Sequence, residues 1–165
     1  MITVQGRPRN QQDRGTADWR AVAQVKEATT TPVIVNGDIH DGSSARTAAH
    51  LSGADGVMIG RASRGRPWLL AQIAAEFSGE IPPPDPTGEA LFEIVAAHYD
   101  SILAFYGKEL GVRVARKHLS WYFECAGADR GHREPVLRST SSREVLSCLR
   151  KLLRDAPGVE RSVAA

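Results

Sequence analysis

Through its first eighty residues the chain alternates short apolar runs with stretches of helical periodicity. Residues 2–5 form a β-prone run that ends at Gly6 and Pro8. Thr16 is the predicted N-cap of a helix over 17–28, with Asp18 in its first turn. There Trp19, Val22, Ala23 and Lys26 recur at i, i+3, i+4 and i+7, enough apolar positions for one buried face. Pro32 opens the continuous run Val33-Ile34-Val35, the pattern of a buried parallel strand, and Asn36-Gly37-Asp38 ends it. Asp41 or Ser43 caps a short Ala-rich helix through Leu51, stopped by Gly53. Val57-Met58-Ile59 reads as another buried strand ending at Gly60-Arg61. Pro67 suits the first position of a helix whose apolar face is Leu70, Ile73, Ala74 and Phe77. Three βα units with short connections predict a parallel sheet with right-handed crossovers. A sheet of three such strands leaves two open edges, which calls for further strands to pair with it.

Residues 81–86 carry four prolines in five positions and can continue neither a helix nor a central strand. Beyond them the periodicity is helical. Leu91, Val95, His98, Ile102 and Phe105 form one stripe, and Val112, Ala115, Leu119 and Tyr122 a second. After Ser142, Leu146, Leu149, Leu152 and Leu153 form a third. Three amphipathic helices predict a small bundle over 88–156, with 157–165 as a disordered tail.

Composition changes this picture little. The 165 residues are 42% hydrophobic and 24% charged, which excludes wholesale disorder. No apolar run approaches the roughly 20 residues of a membrane-spanning helix, and the first residues lack a secretory pattern. Cys125 and Cys148 have no metal-ligand spacing and read as free thiols in a cytoplasmic protein. The charge distribution matters more than the net +2. Residues 81–107 hold four acidic and no basic residues, whereas residues 108–154 hold 11 Lys+Arg against 5 Asp+Glu.

Candidate chemistry lies at two strand ends. Asn36, Gly37 and Asp38 follow one predicted parallel strand, and Gly60 and Arg61 the next. Ligands of parallel α/β folds bind at the carboxyl ends of strands, where glycine lets backbone N–H groups approach a phosphate. The Arg61 guanidinium supplies a planar fork of donors suited to that anion. Read alone, Asn-Gly is an ordinary turn; the repetition on consecutive strands is what favours phosphate.

Together with Gly15-Thr16-Ala17-Asp18-Trp19, the segments 33–39, 53–62 and Gly65-Arg66-Pro67-Trp68 resemble the bacterial tRNA-dihydrouridine synthases, in particular the NifR3/DusB-like branch. Arg116-Lys117-His118-Leu119-Ser120-Trp121-Tyr122 extends the match to about residue 154. The resemblance implies an FMN-binding (β/α)₈ TIM barrel followed by a helical tRNA-binding domain. It implies reduction of a tRNA uridine to dihydrouridine, with NADPH reducing the flavin. Carried over residue by residue, it gives Asn36, Gly37, Asp38, Gly60 and Arg61 to the FMN phosphate. A complete barrel takes about 250 residues. The expected organisation is therefore an α/β unit at 1–80, the last three βα units of a barrel, then a Pro-rich linker at 81–87 and an all-α domain at 88–156. The missing barrel half would come from upstream sequence or another chain.

The departures are specific. The family's catalytic cysteine and a flavin-contacting lysine lie in a barrel half without counterpart here, so no catalytic residue is assigned and neither Cys125 nor Cys148 takes that role. Gln5-Gly6-Arg7-Pro8 stands where the family has His-Gly-Arg-Thr, and glutamine does not titrate. In the helical part, Arg113, Arg116 and Lys117 share a helix face by their i, i+3, i+4 spacing and suit RNA phosphates, against the plainer reading of a solvated face. His118 reads as structural, and Trp121 and Tyr122 as core. Stand-alone activity is doubtful on this reading. A non-catalytic RNA-binding remnant, or a fragment of another phosphate-binding TIM-barrel enzyme, are the alternatives.

Overall fold

The computed structural model describes residues 1–8 and 15–154. Among these the chain is α/β, with one parallel sheet and seven α-helices. It divides into two compact units, Met1–Ser63 with Pro67–Pro84, and Arg64–Arg66 with the residues from Asp85 onward.

In the first unit the strands β1 (Ile2–Gln5), β2 (Val33–Asn36) and β3 (Gly56–Met58) lie side by side in sequence order, all parallel. The helix α1 (Trp19–Glu27) connects the first pair, and α2 (Gly42–Ser52) the second. After β3 come a single 3₁₀ turn at Arg61–Ser63 and the helix α3 (Leu69–Phe77). Val33 and Val35 of β2 are fully buried against Val22 of α1, Ala45 and Ala48 of α2, and Leu69 and Ile73 of α3. Asp55 fastens the start of β2. It accepts from the Val33 N–H at 2.7 Å while its carboxylate takes the Lys26 ammonium at 2.7 and 2.9 Å. Only β2 is flanked on both sides by strands among the described residues, and Ile2 and Met58 on the outer strands are exposed.

Local chemistry sets the helix ends, and one helix end and one buried face shift from expectation. Asp18, not Thr16, caps α1: its carboxylate accepts from the N–H groups of Arg20 and Ala21. Asp41 caps α2 through a reciprocal box with Ser44, and Gly53 ends it in the left-handed conformation at φ 61°. The buried face of α3 is Leu69, Gln72 and Ile73, whereas Leu70 and Phe77 are nearly half exposed. Gln72 tolerates burial because its Nε2 donates to the Pro83 carbonyl at 2.9 Å.

The second unit is helical: α4 (Gly88–Tyr106), α5 (Lys108–Cys125), α6 (Arg130–Arg138) and α7 (Ser142–Arg154). Its core joins Leu91, Val95, Tyr99 and Ile102 of α4 to Val112, Leu119, Tyr122 and Phe123 of α5 and to Val145, Leu149 and Leu153 of α7. The expected α4 stripe runs one turn too far, since Phe105 is 81% exposed, its ring 4.8 Å from that of the neighbouring Tyr106. The helix α6 departs from the expected three stripes. Its polar sequence contains Pro135 and buries little beyond Val136, so it shows no apolar periodicity. Asp129 starts it by accepting from the Gly131 N–H at 2.8 Å. The tail expected at 157–165 lies outside the described residues.

Candidate functional site

Parallel pairing builds the first site. Gln5 of β1 is in register with Asn36 of β2, so the residues two places beyond each, Arg7 and Asp38, come opposite one another. Arg7 is only 6% exposed, and its Nη2 donates to Asp38 Oδ2 at 2.5 Å and to the Gly15 carbonyl at 2.9 Å. The Ala17 N–H donates to the same Asp38 oxygen at 2.7 Å. The other carboxylate oxygen lies 3.3 Å from Nη2 of Arg61. Burial works to raise the Asp38 carboxyl. The Ala17 N–H, the Arg7 hydrogen bond and the charges of Arg7 and Arg61 outweigh it and hold the group below the usual carboxylate range. One carboxylate thus ties the ends of β1 and β2 to the loop after β3.

The backbone here is shaped as well as charged. Gly37 sits at φ 123°, and a Cβ on it would meet the Ala17 Cβ at 2.8 Å, so only glycine fits. The Gly37 carbonyl accepts from the Trp19 indole N–H at 2.8 Å. Asp38 itself lies at φ 52°, a left-handed conformation that aspartate tolerates better than most residues. Asn36 closes β2, its carbonyl taking the Gly6 N–H at 2.8 Å.

All five sequence-predicted residues therefore lie at the carboxyl ends of β2 and β3, and the structure links Asp38 to Arg61. It adds Arg7, which spacing along the chain could not single out but strand register could. These residues fit a phosphate group. The Arg61 side chain is 51% exposed, Asp38 holds it from one side, and a Cβ on Gly60 would meet nothing within 4 Å. Asp38 has no proton to donate to an anion at neutral pH, so its part is to orient Arg61.

The basic face of α5 is less uniform than its spacing predicts. Arg113 and Lys117 are exposed. Arg116 is half-buried, with Nη2 3.5 Å from the Arg138 carbonyl of α6. Another cation takes its place on this surface. The Arg64 guanidinium lies 5.0 Å from the centre of the Trp121 ring, and Lys117 Nζ lies 5.3 Å from the same centre. Trp121 is half-buried, and Tyr122 is in the core as expected. Both cysteines carry free thiols, and burial pushes the Cys125 thiol up, away from thiolate chemistry.

His118 belongs to an aromatic cluster between α4 and α5. Its ring meets those of Trp121 at 5.2 Å and His98 at 5.0 Å, and His98 Nδ1 lies 3.0 Å from the Tyr122 hydroxyl. Burial lowers both histidines, His98 further through the charge of His118 and His118 through that of Lys117. Burial also pushes Tyr122 up to about 12. The unfolded chain therefore binds more protons than the folded one just below the ordinary histidine value of about 6.5. The histidine contribution is fully present above that value and is lost as pH falls below it. We expect the thermal midpoint to drop between pH 7 and 5, and the His98→Gln/His118→Gln variant to show a shallower drop than wild type. A wild-type midpoint that stays flat across this window would contradict the assignment.

A parallel sheet whose successive strands are joined by helices, with its charged loops gathered at the carboxyl ends of the strands, defines the class of parallel α/β proteins. Comparison makes the class particular. The family model for dihydrouridine synthase (Dus) matches residues 1–156. A probable tRNA-dihydrouridine synthase of Rhodobacter capsulatus is 49% identical over 150 residues, 91% of this chain and 46% of that protein. One from Rickettsia prowazekii is 46% identical over 122 residues, 74% of this chain and 37% of its own length. The tRNA-dihydrouridine synthase B of Xanthomonas axonopodis pv. citri is 43% identical over 122 residues, 73% of this chain and 36% of its own. The chain belongs to the dihydrouridine synthase family and spans less than half the length of these relatives.

Proposed function

We propose that this chain is the C-terminal part of an FMN-dependent tRNA-dihydrouridine synthase. Residues 1–80 then supply the last three βα units of the (β/α)₈ barrel, 81–87 a linker and 88–156 the tRNA-binding helices. The observation that carries the reading is the Arg7–Asp38–Arg61 cluster beside Gly37 and Gly60, at the strand ends where the barrel's cofactor phosphate would be held. Asn36, Gly37 and Gly60 would frame the phosphate with backbone, and Arg61 would neutralise it while Asp38 and Arg7 hold that arginine in place. Bound flavin supplies the reduction of the uracil ring, with NADPH as the source of electrons. On this reading the chain works in the cytoplasm on tRNA, with the remaining barrel strands supplied by another segment. The proton donor to the base would come from the remaining barrel strands.

The test is a chimera in which residues 1–154 replace the matching C-terminal part of the Rhodobacter capsulatus relative. We expect a yellow protein that forms dihydrouridine in unmodified tRNA, and Arg61→Ala to lower its FMN affinity about tenfold or more, the loss of one charge-assisted contact. A chimera that melts cooperatively yet binds no flavin would overturn the reading.

A further inference from the structure

We propose that Arg64 and Lys117, held on the indole of Trp121, form a paired cation site that grips the phosphate backbone of RNA. The inference rests on the tRNA-binding reading of the helical unit and adds Arg64, with Trp121 as its support, to the basic face of α5. Both cations lie over one ring, at 5.0 and 5.3 Å from its centre, so they stand at most about 10 Å apart, the sum of the two distances. Both are exposed, as is Arg113 one turn before Lys117.

Two features show that the arrangement is built. The Arg64 backbone is pinned to α5: its carbonyl accepts from the Cys125 thiol at 3.5 Å, and Gly65 is buried at φ 69° against the Trp121 carbonyl. The pair also keeps its charge. Arg7, Lys26, Arg46 and Arg66 all face carboxylates, whereas among the described residues neither Arg64 nor Lys117 makes an ion pair.

Like charges collected on one ring repel each other, and a polyanion relieves that repulsion by neutralising both. Stacking on the indole restricts two long side chains before RNA arrives, so less of their freedom is lost on binding. Arg64, Lys117 and Arg113 stand on open surface. That suits an extended phosphodiester strand better than a small anion, which takes an enclosing pocket. Trp121 is a positioning residue here: its ring carries cations and acts through them.

Fluorescence anisotropy of labelled, unmodified tRNA titrated with the whole chain at several salt concentrations reads the pair directly. Arg64→Ala and Lys117→Ala are surface changes. Each should weaken binding roughly three- to tenfold and lower the salt slope by about one. Arg20→Ala, on α1, should change affinity less than twofold. Trp121→Leu should weaken binding in the wild-type background and cause no further loss in Arg64→Ala/Lys117→Ala, and Trp121→Phe should recover part of the affinity. If both alanine variants keep the wild-type affinity and slope, the pair is overturned while the tRNA reading stands. If the wild-type chain binds no tRNA, both fall. Equal loss from Trp121→Leu in both backgrounds would overturn its positioning role.

Discussion

Asp38→Ala should destabilise the parallel-sheet unit by about 3 kcal/mol, the cost of breaking a largely buried ion pair from one side. Arg7 is the cation at stake: its side chain is 4% exposed and its charge is met by Asp38 at 2.5 Å. The Ala17 N–H would lose its acceptor in the same change, and Arg61 would lose its anchor. Asp38→Asn keeps an oxygen for the Ala17 N–H but removes the charge, and should cost about 1.5–3 kcal/mol, the range for hydrogen bonds to charged groups. Asp38→Gly separates charge from conformation. It relieves the left-handed backbone at φ 52° yet still removes the carboxylate that faces Arg7. Urea unfolding of the three variants checks the order. An Asp38→Gly chain as stable as wild type would show that the carboxylate contributes no more than the backbone strain that glycine relieves. Acid should act in the same direction: because the folded carboxyl is held below its ordinary value, its contribution is lost as pH falls below about 4.

Gly65→Ala should cost the helical unit on the order of 3 kcal/mol, combining left-handed strain with an overpacked contact. At φ 69° a Cβ would lie 2.6 Å from the Trp121 carbonyl carbon and 3.0 Å from the Cys125 sulfur. The carbonyl belongs to the backbone of α5 and cannot rotate away. Cys125→Ala should therefore rescue little of the loss. Circular dichroism melts of Gly65→Ala, with and without Cys125→Ala, give the comparison. Full recovery in the double variant would place the conflict on the sulfur alone. In Gly65→Ala the Arg64 side chain should also leave the Trp121 ring, which tryptophan fluorescence would register.

The positions of the two strand-end loops were legible in the sequence because Asn36-Gly37-Asp38 and Gly60-Arg61 each end an apolar run. Arg7 was not. Its partner is 31 residues away, and only the pairing of Gln5 with Asn36 brings the two together. Periodicity found every helix with an apolar stripe but not always its phase. Leu69 and Leu70 are equally apolar, and packing on α2 and the sheet selects Leu69. The helix α6 had no stripe to find: a cap at Asp129 and neighbours on α5 and α7 hold a segment that local preference disfavours. Arg64 reads as one more basic residue until Gly65 is seen against α5.

The outer strands β1 and β3 have one further consequence. Their sequences, ITVQ and GVM, contain no charge and no proline. Strands that live at a sheet margin usually carry such gatekeepers against unwanted pairing, and strands meant for the interior do not. On the proposed reading of a partial barrel, the remaining strands would capture both margins in competition with a second copy of this chain, the first at a rate set by how soon they arrive and the second at a rate set by concentration.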